Sequence, residues 1–252
     1  MKRLENKVAL ITGGAGSIGQ TTAKLFIDEG AKVVLVDLDE AALKKITDTL
    51  GPNAAYVAAN VTVAKDVERY ATEAVKKFGK IDIFFNNAGI EGSVAPITEF
   101  PEEVFDKVLA VNVKGVFLGC KYVLPQMKDG ASMIITSSVA GLGGSPNFIA
   151  YVTSKHATLG IMKVAALEAA ARKIRVNTIH PSPVNNRMMR SIEEGYEPGK
   201  GTDVQKKFAA EIPLGRYAEP IEIAKLVLFL GSDDSQFITG AQYVIDGGQN
   251  AK

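Results

Sequence analysis

The chain has one cysteine, two histidines and almost no net charge, and each scarcity removes a class of function. A single thiol, Cys120, cannot close an internal disulfide, and its apolar neighbours mark it as a core side chain rather than a nucleophile. His156, His180 and that cysteine form no cluster with metal-ligand spacing, so no metal is expected. A formal charge of +1, with 23 % charged residues of both signs interspersed, offers no footprint for nucleic acid. No uninterrupted apolar run approaches the roughly 20 residues of a membrane span. The opening Met1–Lys7 leads straight into a strand, with no signal peptide before it. A soluble, cytoplasmic protein acting on small molecules is the expectation.

What the sequence does have is rhythm. Short apolar runs at Val8–Ile11, Val33–Val36, Ala54–Ala58, Ile81–Phe85, Met133–Ile135, Val176–Ile179 and Tyr243–Ile245 read as strands buried on both faces. Between them, stretches such as Ser17–Glu29, Ala41–Leu50, Ala64–Phe78 and Glu102–Val123 carry helical periodicity. Alternation of this kind predicts an α/β domain with a mostly parallel sheet covered by helices on both faces. The length of 252 residues suits one such domain, over residues 1–252. Phe105–Val123 and Ala157–Ala171 are apolar nearly all round, and a sheet covers only one stripe of a helix. Their outer stripes are expected to pair between subunits. Asn185–Pro220 breaks the rhythm with Gly195, Pro198, Gly199, Gly201 and Pro213, which predicts a substrate lid over about 185–215.

Chemistry-bearing residues stand where strands end. Thr12-Gly13-Gly14-Ala15-Gly16-Ser17-Ile18-Gly19 follows the first strand and opens a helix. Glycines let backbone approach a pyrophosphate, and the helix start offers free N–H groups. The second strand ends in Asp37, whose carboxylate can accept both ribose hydroxyls and would repel the 2′-phosphate of NADP. Neighbouring Leu38 and Ala15 supply no arginine to welcome that phosphate, so NAD is the expected cofactor; the alternative for Asp37 is a helix cap. Asn60-Val61 follows the third strand and Asn86-Asn87-Ala88-Gly89 the fourth, each asparagine also readable as a turn residue bonding its own backbone. Ser138 closes the fifth strand. Tyr151 and Lys155, four apart on a helix, can present a phenol and an ammonium to one point.

In this order and spacing the motifs resemble the short-chain dehydrogenase/reductase family, in its form of about 250 residues, from end to end. The matching pieces are the Thr12–Gly19 loop, Asn86-Asn87-Ala88-Gly89, Asn112, Ser138, Tyr151-x-x-x-Lys155, Asn177 and Asp246-Gly247-Gly248. The resemblance implies a single Rossmann-like domain, a doubly wound seven-stranded parallel sheet in the order 3-2-1-4-5-6-7, and a homotetramer. It implies that Gly13, Gly16, Ser17, Ile18, Gly19, Asp37, Leu38, Asn60, Val61, Asn87, Ala88, Gly89, Tyr151, Lys155, Pro181, Val184 and Asn186 hold the cofactor. Three departures stand out: Ser17 replaces a glycine, Pro181-Ser182-Pro183-Val184-Asn185-Asn186 replaces Pro-Gly-x-Val-x-Thr, and Asn60 replaces an aspartate. The Asn60 carbonyl is expected to accept the adenine amino group's proton.

The implied reaction moves a hydride between nicotinamide C4 and a carbinol or carbonyl carbon. Tyr151 is the general acid/base, Ser138 holds the substrate oxygen, Lys155 binds the nicotinamide ribose and lowers the Tyr151 pKa, and Asn112 holds a relay water. Moving a tyrosine from about 10 to near neutrality takes about 4 kcal/mol, roughly what an ammonium at about 4 Å supplies at an effective dielectric of 20. Expected substrate contacts are Ser138, Tyr151, Glu91, Asn147, Pro183 and Met188, with Val94, Leu142, Met189 and Tyr196 completing the wall. That lining suits a secondary alcohol or ketone, cyclic ones included. The alternatives are an NADP-using 3-oxoacyl-carrier reductase and a non-catalytic NAD-binding scaffold.

Overall fold

A computed structural model describes residues 2–251. Seven parallel strands form one sheet in the order β3-β2-β1-β4-β5-β6-β7. They are β1 Val8–Thr12, β2 Lys32–Asp37, β3 Ala54–Ala58, β4 Ile81–Asn86, β5 Met127–Thr136, β6 Arg175–Pro181 and β7 Gln242–Ile245. Successive side chains on a strand point to opposite faces, so both sets must find cover. Leu10, Val34 and Val36 pack beneath α3 (Ala64–Phe78), α5 (Gly115–Val123) and α6 (Ile149–Ala169). Ala9, Ile11, Val33 and Leu35 face α1 (Ser17–Asp28), α2 (Glu40–Leu50) and α9 (Pro220–Gly231). Cover on both sides is why the strands read as continuous apolar runs.

The last run departs from that rule. Val244 is 46 % exposed, because β7 is the sheet's edge and not a strand buried on both faces. The stretch after β4 also differs from a plain helix. It divides into α4 (Glu102–Leu109), a π turn at Ala110–Lys114 and α5. Joined, Glu102–Gln126 is 25 residues long and apolar enough to cross a membrane by length and composition, contrary to the sequence expectation. Uninterrupted runs miss it because Asp106, Lys107, Lys114 and Lys121 interrupt the apolar residues, yet Val116, Cys120 and Val123 still gather on the sheet. The opposite stripe carries Phe117, 50 % exposed, and on α6 Leu167 is 79 % exposed.

Where the strand–helix rhythm breaks, α7 (Arg187–Tyr196) and α8 (Gly201–Glu211) rise from the carboxyl end of β6. The excursion returns to its starting point. Val184 and Ala218 form a β-bridge, with Asn185 N donating to Ala218 O (2.8 Å) and Ala218 N to Pro183 O (3.0 Å). Met189, Ile192, Ile212 and Tyr217 pack together over Phe148, forming a small apolar cluster apart from the two main layers.

Candidate active site

The site is built from the carboxyl ends of β1, β2, β4, β5 and β6, where an open parallel sheet leaves a crevice. After β1 the chain turns at Gly13, φ +67°, and enters α1 at Ser17. A methyl on Gly19 would stand 2.2 Å from the Gly13 carbonyl oxygen, so the turn and the helix touch backbone to backbone. No side chain caps α1, whose first N–H groups are left to whatever enters the crevice.

Asp37 closes β2 with both carboxylate oxygens fixed by backbone donors: Ala15 N to Oδ2 (3.0 Å) and Leu38 N to Oδ1 (2.8 Å), with Asp39 N also facing Oδ1 at 3.5 Å. The helix-cap alternative for Asp37 does not apply, because Asp39 caps α2 through Ala42 N (2.9 Å). A carboxylate oxygen accepts more than one bond, so Asp37 keeps acceptor capacity for a ligand. Leu38 beside it is 71 % exposed.

Asn60 lines the cleft and also holds a local turn. Its Oδ1 accepts from Thr62 N (2.9 Å) and Thr62 Oγ1 (2.8 Å), which uses both lone pairs in a local turn. Asn87 is also an architectural residue. Its Nδ2 donates to Thr12 O (3.1 Å), its Oδ1 accepts from Thr136 Oγ1 (3.0 Å), and the Asn87 and Ala88 N–H groups donate to Thr12 Oγ1 (2.9 and 3.1 Å). One residue thereby ties together the ends of β1, β4 and β5. Sequence reasoning gave Thr12 and Thr136 no such role, since nothing in their spacing reveals it.

Ser138 lies two residues past the end of β5, with its Oγ near enough to the Tyr151 hydroxyl to favour the ionised phenol. That Oγ also accepts from Ala140 N (3.2 Å). Lys155 is buried one helical turn from Tyr151; its Nζ donates to Thr136 O (2.9 Å) and lies 5.4 Å from the Tyr151 ring centre. Asn112 occupies the π turn, a distortion that often marks functional sites in helices. Its Oδ1 accepts from Ile90 N, while its Nδ2 donates to Ile90 O (both 2.9 Å) and to Ser154 Oγ (3.0 Å). A methyl on Gly89 would lie 3.3 Å from Asn112 Oδ1 and 3.5 Å from Lys155 Nζ, so glycine keeps the space between amide and ammonium clear.

The electrostatics differ from the sequence expectation. Burial pushes the Tyr151 phenol up to about 12, against the Ser138 hydrogen bond and with the help of the Glu91 charge. Burial alone takes the Lys155 ammonium down to about 8. In the protein by itself, Lys155 therefore does not bring the phenol near neutrality. Each group is removed from water, which disfavours the charged form of both.

One cleft of about 1360 Å³ connects the two ends. Gly13, Gly16, Ser17, Ile18, Asp37, Leu38, Asn60, Val61, Asn87, Ala88 and Gly89 line one part. Ser138, Tyr151, Lys155, Pro181, Pro183, Val184, Asn186 and Met188 line the other. Gly19 and Asn112 stand behind the wall and shape it. Glu91 and Asn147, expected as substrate contacts, are not on the wall either; nor are Val94 and Leu142. Asn147 is a turn residue at φ +69° whose carbonyl accepts from Ala95 N (3.1 Å). Asn186 caps α7 through Met189 N (3.0 Å). Phe148, Ile192, Phe208 and Arg187 line the cleft without having been singled out. Phe148, Tyr196 and Phe208 form a ring series with centres 5.6 and 5.1 Å apart, assembled from α7, α8 and the residue before α6. The Arg187 guanidinium has no partner among the described residues. A glycine turn with open N–H donors, a pinned carboxylate and a distant phenol–amine pair, all on one elongated cleft, fit a dinucleotide.

Comparison with known proteins agrees. Residues 13–250 match the family model described as enoyl-(acyl carrier protein) reductase. Cyclohexanol dehydrogenase from Acinetobacter sp. (strain SE19) is 37 % identical over 99 % of this chain and 97 % of its own. The crystal structure of levodione reductase superposes with a TM-score of 0.96 at 36 % identity, covering 99 % of both chains. That of NAD⁺-bound xylitol dehydrogenase gives 0.93 at 36 % identity, over 98 % of this chain and all of that one (100 %).

Proposed function

The chain belongs to the short-chain dehydrogenase/reductase family, and from that premise we propose that it is an NAD-dependent oxidoreductase interconverting a secondary alcohol and its ketone. The observation that carries this reading is the neighbouring Ser138–Tyr151 pair, with Lys155 one turn away, on a cleft that also holds Asp37. Bound NAD supplies the hydride acceptor, and its reduced form the donor, at nicotinamide C4. Ser138 Oγ and Tyr151 Oη then meet on the substrate oxygen. In the reducing direction the protonated phenol gives its proton to the developing alkoxide; in the oxidising direction Tyr151 Oη receives the alcohol's proton. Lys155 Nζ and the clear space beside Gly89 lead that proton away toward Asn112.

Asp37 favours NAD: its carboxylate can accept ribose hydroxyls, and a 2′-phosphate would meet a like charge there. Pro183, Met188, Met189 and the Phe148–Tyr196–Phe208 series make the substrate end largely apolar, which suits a small or cyclic carbon skeleton. The exposed stripes of Phe117 and Leu167 are where a second copy would pack on the way to a tetramer; a monomeric mass in light scattering would overturn that part.

Similarity to the 3-oxoacyl-[acyl-carrier-protein] reductase FabG of Thermotoga maritima, 37 % identical over 98 % of both chains, favours a second reading, reduction of a 3-oxoacyl group on a carrier. Oxidation of a panel of secondary and cyclic alcohols near pH 9, with NAD and NADP in parallel, separates the two. Turnover with NAD on free alcohols supports the first reading. Turnover only with NADP on a carrier-bound 3-oxoacyl group supports the second.

A further inference from the structure

Resting on the reading of Ser138 as the group that holds the substrate oxygen, we propose that His180 is its positioning residue, fixing the Ser138 backbone so that Oγ points at the reacting oxygen. His180 is fully buried on β6 and uses both ring nitrogens: Nδ1 lies 2.9 Å from Ser138 O and Nε2 2.9 Å from Thr178 Oγ1. A carbonyl oxygen only accepts, so Nδ1 carries the hydrogen and donates it. Nε2 therefore holds the lone pair and accepts from the Thr178 hydroxyl. Burial, with the nearby charges of Lys155 and His156, holds the ring below its ordinary pKa and so neutral.

Ser138 needs holding. The last main-chain bond of this strand end is Ser137 N donating to Ile179 O (2.9 Å), one residue earlier. Beyond it Ser138 is extended, at φ −167° and ψ 164°, before the chain curls into a short 3₁₀ turn. Its hydroxyl faces three neighbours: Ala140 N at 3.2 Å, Pro181 O at 3.5 Å and the Tyr151 hydroxyl. Which one it serves depends on where the Cα–Cβ bond points. Two donors occupy the Ser138 carbonyl, Gly141 N (2.8 Å) from within the turn and His180 Nδ1 from the neighbouring strand. Only the histidine ties that peptide plane to the sheet. A misplacement of about 1 Å at a reacting group costs on the order of 100-fold in rate.

Two substitutions separate the ring's two bonds. His180→Asn places an amide N–H where Nδ1–H stood and keeps the bond to Ser138; His180→Gln reaches the Thr178 side and loses it. The expected result is kcat within about threefold of the parent for Asn and about 10- to 100-fold lower for Gln, with the KM for NAD unchanged in both. Thermal stability should fall similarly in the two. In a Ser138→Ala background, His180→Gln should lower kcat no further, because the effect runs through a hydroxyl already removed. Equal losses in Asn and Gln, or full additivity with Ser138→Ala, would overturn the proposal. Nitrogen-15 NMR of the histidine-labelled parent protein tests it without any variant: the Nδ1–H tautomer is required, and an Nε2–H tautomer would refute it. A kcat untouched by Ser138→Ala would instead sink the underlying reading. That failure is distinct from one in which Ser138→Ala is slow and the Asn and Gln variants fall together.

Discussion

Along β1 and β2 the cleft wall is mostly backbone: a glycine turn, the open start of α1, and a carboxylate held by two main-chain N–H groups. Along β5 and β6 the wall is side chains brought together from distant positions, with a half-buried phenol and a buried amine both shifted toward their neutral forms. The first region recognises shape and charge at little electrostatic cost. The second stores ionisable groups out of water, where their protonation is poised to respond to what binds. Substitutions should therefore separate cleanly, with binding affected on one side and turnover on the other.

The largest expected effect is on the buried side. Tyr151→Phe should lower kcat by about 10²–10⁴-fold, the usual contribution of a positioned acid/base, while calorimetry finds NAD affinity within about twofold of the parent. Comparable loss of both would dissolve the division. Gly19→Ala is the counterpart on the backbone side: its methyl meets the Gly13 carbonyl at 2.2 Å, so the turn must open. NAD affinity should weaken at least about tenfold with circular dichroism unchanged; normal affinity would show that the turn tolerates slack.

Asp37→Asn should shift preference from NAD toward NADP by roughly tenfold, about 1.4 kcal/mol, read as the ratio of kcat/KM for the two cofactors. An unchanged ratio would remove Asp37 from discrimination. The smallest effect is on stability. Lys155 folds with its pKa lowered to about 8, so between there and its ordinary value near 10.4 the unfolded chain binds the extra proton. The Tm of the cofactor-free protein should therefore rise from pH 8 to about 9, and this rise should be absent in Lys155→Met; above about 9 the buried Cys120 thiol, pushed up to about 12, offsets it. Tyr151, shifted upward, acts in the opposite sense only above about 10. A Tm that falls over that window would contradict the burial of the amine.

These two regions also differed in how far they could be read from the sequence. Alternating apolar runs announced the sheet, and motifs at strand ends announced Gly13–Gly19, Asp37, Ser138, Tyr151 and Lys155, because each is local in the chain and local in space. Asn60 stayed open between its two readings: its side chain accepts from Thr62 two residues away, a competition that residue identity alone does not decide. The aromatic series of the cleft went partly unseen because Phe148, Tyr196 and Phe208 come from three separate elements and meet only after folding. The phenol's shift was misjudged for the same reason, since burial is a property of the assembled site. Val244 failed as a buried strand position because an edge and a centre share one apolar pattern.

The bridge between Val184 and Ala218 has an evolutionary consequence. Both ends of the excursion meet on one pair of residues, so its length can change without altering the register of β6 or β7. Doubling a loop whose ends are already joined adds only about 0.6 kcal/mol of closure entropy. Selection can thus treat the span as an exchangeable cassette, recutting the mouth of the enzyme for new skeletons while the machinery beneath stays untouched.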